Sequence, residues 1–205
     1  GTTFSQSYME DTMARHPELA RALCSLFDAR FNPADAGDAG RSAEMDRLAA
    51  EIVEQLDAVS NADEDRILRS FLNLISATLR TNFYQKTQDD DWKSYLSLKF
   101  DSAKIDGLPK PRPYREIFVY SPRMEGVHLR GGKVARGGIR WSDRREDFRT
   151  EILGLVKAQM VKNAVIVPVG SKGGFVVKHP PKTGGREAFI AEGIECYKTL
   201  LRGML

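Results

Sequence analysis

ARGGIRWSDRREDFRTEILGLVKAQMVKNAVIVPVGSKGGFVVK spans residues 135–178 and changes its periodicity three times. A glycine pair stands among arginines at Arg136, Gly137, Gly138 and Arg140. Phe148, Ile152, Leu155, Val156 and Met160 then recur at helical steps, with Lys162 near the end of that helix. Val165, Ile166 and Val167 form a continuous β-branched run, as expected of a strand buried on both faces of a sheet. Pro168 closes it, Gly170-Ser171-Lys172-Gly173-Gly174 follows, and Gly173 to Val177 predicts a returning strand. Ser142 or Asp143 is placed to cap the helix, with Glu146 and Asp147 in a first turn where negative charge is favoured. Beyond the Pro180, Pro181, Gly184 and Gly185 loop, a last helix carries Phe189, Ile190, Ile194, Tyr197 and Leu201. This helix–strand–strand–helix order predicts α/β layering in the second half.

Working back toward the N-terminus, Gly126–Arg130 and Glu116–Tyr120 read as short strands around a turn at residues 122–125. Leu108-Pro109-Lys110-Pro111-Arg112-Pro113 can be neither helix nor central strand, because three prolines remove donors and fix φ. Residues 94–101 alternate polar and apolar, the pattern of a half-buried strand, and residues 85–91 read as a polar turn. The first part of the chain is helical by period. Tyr8, Met13, Leu19, Leu23 and Phe27 recur around Pro17, and Met45, Leu48, Ile52, Leu56 and Val59 follow a loop at residues 32–40. Asn61 with Glu64 three residues on is a helix start, and Ile67, Phe71, Leu74, Ile75 and Leu79 line the helix it opens. The expectation is a helical segment over residues 1–90, then an α/β/α layered domain over 91–205 with a mostly buried mixed sheet.

Composition narrows the function classes. Hydrophobic residues make up 41% and charged residues 29% of 205, an ordinary soluble balance. A net charge of +3 gives the whole chain little pull on nucleic acid. The excess is local instead: Arg130, Lys133, Arg136, Arg140, Arg144, Arg145 and Arg149 face only Asp143, Glu146 and Asp147. Two distant cysteines, Cys24 and Cys196, argue against a disulfide framework and for a cytoplasmic location. No apolar run reaches the roughly 18 residues of a membrane span, and the N-terminus has no signal-peptide pattern. His16, His128 and His179 lack metal-ligand spacing, so no metal is expected.

Three elements of the 135–178 stretch could carry chemistry. Gly137 and Gly138 allow close backbone approach, and Arg136 and Arg140 can grip a carboxylate or phosphate; the alternative is a tight turn with solvated arginines. Lys162, between an amphipathic helix and a buried strand, needs an anionic partner or else snorkels to the surface. Lys172 is flanked by glycines, which leaves its ammonium open to a ligand. A lysine desolvated beside other cations releases its proton more readily and can work as an acid–base group near neutral pH. The alternative is a glycine-rich turn bearing an exposed lysine. The spacing is not that of a phosphate-binding P-loop.

Taken together, RGGIR, a helix ending QMVKNA and a strand ending PVGSKGG resemble the substrate-domain signature of the glutamate dehydrogenase superfamily. Within it the chain is most similar to the large NAD-specific glutamate dehydrogenases of bacteria. Residues 63–85, DEDRILRSFLNLISATLRTNFYQ, and 115–144, REIFVYSPRMEGVHLRGGKVARGGIRWSDR, carry that likeness too. The resemblance implies oxidative deamination of L-glutamate to 2-oxoglutarate and ammonia with NAD. It implies Lys172 as the catalytic lysine and Gln159 and Lys162 as substrate ligands, with Lys162 on the α-carboxylate. Arg136 stands where smaller relatives place a lysine for the side-chain carboxylate, and Gly138 and Arg140 belong to the same element. It also implies a downstream aspartate and a Rossmann domain for NAD, with its glycine fingerprint. Neither follows Lys172 here. The chain is therefore expected to be a piece of a longer, homo-oligomeric enzyme that acts on glutamate, not on nucleic acid or membrane, and to be inactive alone. Two other readings remain: a phosphate- or nucleic-acid-binding module built on the Arg130–Arg149 cluster, and a non-catalytic oligomerisation domain.

Overall fold

The structure is a computed structural model; it describes residues 4–34, 38–134, 136–162 and 170–205, and only the backbone of residues 38, 39, 161 and 162. The predicted strand at Val165–Val167 and its closing Pro168 lie outside the described residues. The chain packs as two compact units, residues 2–78 with 104–106, and residues 79–103 with 107–205.

The first unit is four helices. Helix α1 (Gln6–Arg15) starts at Ser5, whose hydroxyl accepts from the Tyr8 amide, and stops before Pro17, which opens α2 (Pro17–Phe31) at a position where its missing N–H costs nothing. Helix α3 spans Asp38–Leu56 and α4 spans Ala62–Ala77. The expected cap on α4 is there: Asn61 Oδ1 accepts from the amides of Asp63 (2.9 Å) and Glu64 (3.3 Å). Of the predicted periodic residues, Leu19, Leu23, Leu48, Ile52 and Leu56 meet in one core, joined by Leu26 and Leu68, which the period does not single out. Glu64 also accepts from Arg15 and faces His16, tying the α1–α2 corner to the start of α4.

Among the described residues the second unit is a six-stranded mixed sheet in the order β1-β2-β3-β4-β6-β5, with helices on its faces. Its strands are β1 (Thr78–Thr81), β2 (Leu96–Phe100), β3 (Arg115–Tyr120), β4 (Met124–Arg130), β5 (Ile139–Trp141) and β6 (Ser171–Val177). The β2–β3, β3–β4 and β4–β6 pairs are antiparallel, whereas β5 runs parallel to β6. Helix α5 (Phe148–Lys162) covers one face and α6 (Gly185–Met204) the other. Alternation along the strands sorts the side chains. Val127, Leu129 and Val176 pack on Phe148, Ile152, Leu153 and Val156 of α5. Val119, Met124, Phe175 and Val177 pack on Cys196 and Leu200 of α6. The α/β/α layering read from the sequence is the observed arrangement.

Two local expectations are corrected. Helix α5 starts at Phe148, later than a cap at Ser142 or Asp143 requires, and residues 145–147 form a turn ahead of it. The Ser142 hydroxyl is held elsewhere, donating to Glu151 Oε2 at 2.5 Å. Leu79, placed on the α4 stripe by its period, lies in β1 instead, one residue after its start at Thr78.

Candidate active site

The glycine-rich elements at the two ends of the 135–178 stretch lie side by side. Beyond β5, the Ser171 amide donates to Arg136 O (2.7 Å) and the Gly173 amide to Gly138 O (3.0 Å), so the parallel pairing extends back through the RGG segment. On the other edge of the loop the Gly131 amide donates to Gly170 O at 3.0 Å. The approach is close enough to demand glycine. A Cβ on Gly137 would fall 1.5 Å from Ser171 O, and one on Gly170 would fall 2.6 Å from Gln159 Nε2 and 2.7 Å from Arg136 O. Gly138, by contrast, faces open space.

Register then assigns faces. Lys172 pairs with Leu129, which packs toward α5, so the half-buried lysine stands on the α5 face of the sheet. Lys172 lies inside β6, not in a turn as the glycine pattern allowed. Arg140 pairs with Gly174 on the same face, and strand alternation puts Gly138 and Arg136 there as well. Gln159, one turn from the end of α5, brings its amide against Gly170. Its Oε1 is buried and has no hydrogen-bond partner among the described residues. A buried, unmatched acceptor is costly, and a ligand donor such as an ammonium would satisfy it. Lys162 closes α5, and its side chain lies outside the described residues. Thus Arg136, Gly138, Arg140, Gln159 and Lys172 come to one face and one end of the sheet.

The cations there differ in their engagements. No described residue pairs with the Lys172 ammonium or the exposed Arg136 guanidinium. Arg140 is held: its Nε lies 2.7 Å from Glu151 Oε1, while Glu151 Oε2 accepts from Ser142. Arg149 is committed deeper, donating from Nε and Nη2 to Glu116 at 2.7 and 2.6 Å across the α5–β3 contact. Arg144 pairs with Asp147. The sequence reading did not anticipate Glu116 or Glu151 as partners. Only the charge of Glu116 just ahead of the apolar Ile117–Val119 run signalled it, and nothing in the α5 pattern marked Glu151.

On the opposite face of the same strands, His128 sits beside Gly173 and is buried. Burial, and secondarily the Arg130 charge, lowers its pKa below the ordinary histidine value. Among the described residues no cluster of three His, Cys, Asp or Glu side chains could hold a metal ion.

Against this geometry the comparisons with known proteins are specific. Residues 51–205 match the family described as "Bacterial NAD-glutamate dehydrogenase, catalytic domain". The chain belongs to that family. The match takes in every candidate residue from Arg136 to Lys172. Residues 1–33 match "Glutamate dehydrogenase, helical motif 3", which covers α1 and α2. An NAD-specific glutamate dehydrogenase of Halomonas elongata is 55% identical over 201 residues, covering 98% of this chain and 12% of that protein. Proteins of the same description from Mycobacterium tuberculosis and Pseudomonas aeruginosa are 54% and 55% identical, over 100% and 98% of this chain. They are covered to 13% and 12% of their own length, so the chain spans about an eighth of each relative.

Proposed function

We propose that this chain supplies the glutamate-binding face of an NAD-dependent glutamate dehydrogenase, which oxidatively deaminates L-glutamate to 2-oxoglutarate and ammonia. The observation that carries the reading is the convergence of the RGG segment and the Ser171–Gly174 segment on one sheet face, with no partner for Lys172 or Arg136 among the described residues. Glutamate brings two carboxylates and one ammonium. Arg136 and Lys162 suit the carboxylates, Lys162 the α-carboxylate, since a guanidinium or ammonium gives strong charge-assisted hydrogen bonds. The orphaned Gln159 Oε1 suits the ammonium. Arg140, held by Glu151, shapes the pocket beside Gly138. Lys172 Nζ takes the proton from the water that attacks the imino carbon and passes it to the amine nitrogen that leaves as ammonia.

NAD accepts the hydride in the parent reaction. In this reading NAD is held elsewhere, since Ser142–Asp147, which follows the parallel strand β5, carries none of the glycines of a dinucleotide fingerprint. NAD is accordingly assigned to a Rossmann domain outside this chain, with residues 1–90 as a helical segment and 91–205 as the substrate domain. Cytoplasmic location and homo-oligomeric assembly of the full-length enzyme belong to the same reading; among the described residues no helix is long and apolar enough to cross a membrane. A nucleic-acid module based on the arginine cluster is the weaker reading, since Arg140, Arg144 and Arg149 are already paired with Glu151, Asp147 and Glu116.

Lys172 tests the proposal. In the full-length enzyme Lys172→Ala should lower kcat by at least about 10²-fold, the lower range for loss of a general acid–base group. Lys172→Arg should not rescue it, because a guanidinium keeps its proton. Near-normal kcat in Lys172→Arg would reduce the residue to an anion-binding charge.

A further inference from the structure

Arg140 and Arg149 each meet a glutamate, but in different ways. Arg149 turns Nε and Nη2 together onto Glu116, at 2.7 and 2.6 Å, which closes one edge of its guanidinium. Arg140 gives Glu151 only its Nε, at 2.7 Å, and its two terminal amines have no partner among the described residues. The burial is lopsided as well: the Glu151 side chain is 12% exposed and the Arg140 side chain 54%. An ion pair half open to water contributes little to stability, so folding alone does not account for it.

Glu151 is fixed through both of its oxygens. While Oε1 holds Arg140, Oε2 accepts from the Ser142 hydroxyl at 2.5 Å. Ser142 is buried and anchored in turn: its amide donates to Phe175 O at 2.8 Å, and its hydroxyl accepts from the Arg144 amide at 3.0 Å. Helix α5 meets the sheet at this point, because Gly174, the register partner of Arg140, leaves room for Ile152, the residue after Glu151. Sheet, loop and helix thus converge on one carboxylate, and that carboxylate holds one nitrogen of Arg140.

We propose that Glu151 is a positioning residue for substrate binding: backed by Ser142, it holds the Arg140 guanidinium so that Nη1 and Nη2 stand as a preset fork for a carboxylate of glutamate. The proposal rests on the reading of the Lys172 face as the glutamate-binding face. A long side chain that must be ordered when a ligand arrives weakens binding, and a tether through Nε orders this one beforehand. The planar guanidinium still offers two parallel N–H donors from its far end. Charge alone argues the other way, since the Glu151 carboxylate repels an anionic substrate and offsets part of the pull of Arg140. Geometry and charge therefore predict opposite effects when Glu151 is removed.

Steady-state kinetics of the full-length enzyme separate the two. Glu151→Ala is expected to raise KM for glutamate, and Ki for glutarate as a competitive inhibitor, about fivefold, the scale of ordering one long side chain. KM for NAD should stay within about twofold and kcat should change far less than the glutamate KM, the pattern of lost binding rather than lost chemistry. Glu151→Gln should recover most of the loss, because an amide oxygen still accepts from Nε. Ser142→Ala, which removes only the second anchor, should shift the glutamate KM the same way by less, and it carries the test if Glu151→Ala does not fold. In an Arg140→Ala background, which itself should raise the glutamate KM about tenfold, Glu151→Ala should add nothing. A glutamate KM that is unchanged or lower in Glu151→Ala and Ser142→Ala, or a further rise in the Arg140→Ala background, overturns the positioning role. Equal rises for glutamate and NAD overturn it too, since they mark a general disturbance of the fold. An unchanged glutamate KM in Arg140→Ala would instead remove Arg140 from the glutamate face, so failure of the underlying reading is told apart from failure of this one.

Discussion

Gly137 and Gly138 are neighbours of identical chemistry with opposite surroundings. At Gly137 a single methyl group would collide with the Ser171 carbonyl, which is backbone within a paired strand and cannot swing aside. At Gly138 the same methyl group meets nothing within 4 Å. Gly137→Ala should therefore destabilise the enzyme by about 1–3 kcal/mol or more, the scale of overpacking a tight site. Gly138→Ala should leave thermal unfolding unchanged and touch only glutamate binding. Equal unfolding temperatures for the two variants would show that the RGG segment does not lie against Ser171. His128 gives a second test at this scale. Its folded pKa is depressed, so the unfolded chain binds the proton more tightly, and the stability His128 contributes is complete above the unfolded value of about 6.5. That contribution falls away as pH drops through 6.5 toward the folded value. Urea midpoints measured from pH 8 to pH 5 should decline in the parent enzyme and decline less in His128→Gln; parallel curves would clear His128 of any part in the acid limb.

The element that fixes the site is α5, and its hold on the sheet is partly ionic. Arg149 and Glu116 are 19% and 6% exposed at the side chain, so the pair is largely removed from water. Removing one partner of such a pair strands the other and costs about 3–5 kcal/mol, whereas replacing both with apolar groups is often neutral. Arg149→Met alone should sharply lower the unfolding temperature, and adding Glu116→Leu should restore most of it; a double variant as unstable as the single one would count against a stranded charge. Elements of this kind were partly legible in the sequence. Apolar residues at helical and alternate spacing placed α1 through α6 and the strands β2, β3 and β4, because burial of one face imposes that spacing. Asn61 was legible as a cap for the same local reason. The residues around Lys172 were not. The strand was expected from Gly173, yet β6 begins at Ser171 and takes in Lys172, and a Cβ on Gly174 would fall 2.3 Å from Ile152 of α5. Glycine here serves the close approach of helix to strand, a tertiary requirement that no local pattern reports. The start of α5 was missed on similar grounds, since the Ser142 hydroxyl bonds a residue nine positions away.

At the scale of the molecule, the proposed function gives this chain one part of a larger chemical task. The sheet unit brings cations and an orphaned amide oxygen to one face, which suits a substrate with two carboxylates and an ammonium. Hydride transfer needs, besides that face, a nicotinamide held against Cα of glutamate, and orientation of the two reactants supplies much of the rate in such reactions. Among the described residues the β5–β6 pair is parallel, and the turn that follows β5 lacks the glycines that let a backbone approach a pyrophosphate. The relatives, of which this chain covers 12–13%, carry far more polypeptide in which such a cradle can reside. The purified 205-residue chain should consequently form no NADH from glutamate and NAD above the buffer rate, while the full-length enzyme does so under the same conditions. Absorbance at the NADH band measures this directly. Sustained NADH formation by the 205-residue chain alone would mean that its own residues hold the nicotinamide, and the division of substrate and cofactor between two domains would have to be abandoned.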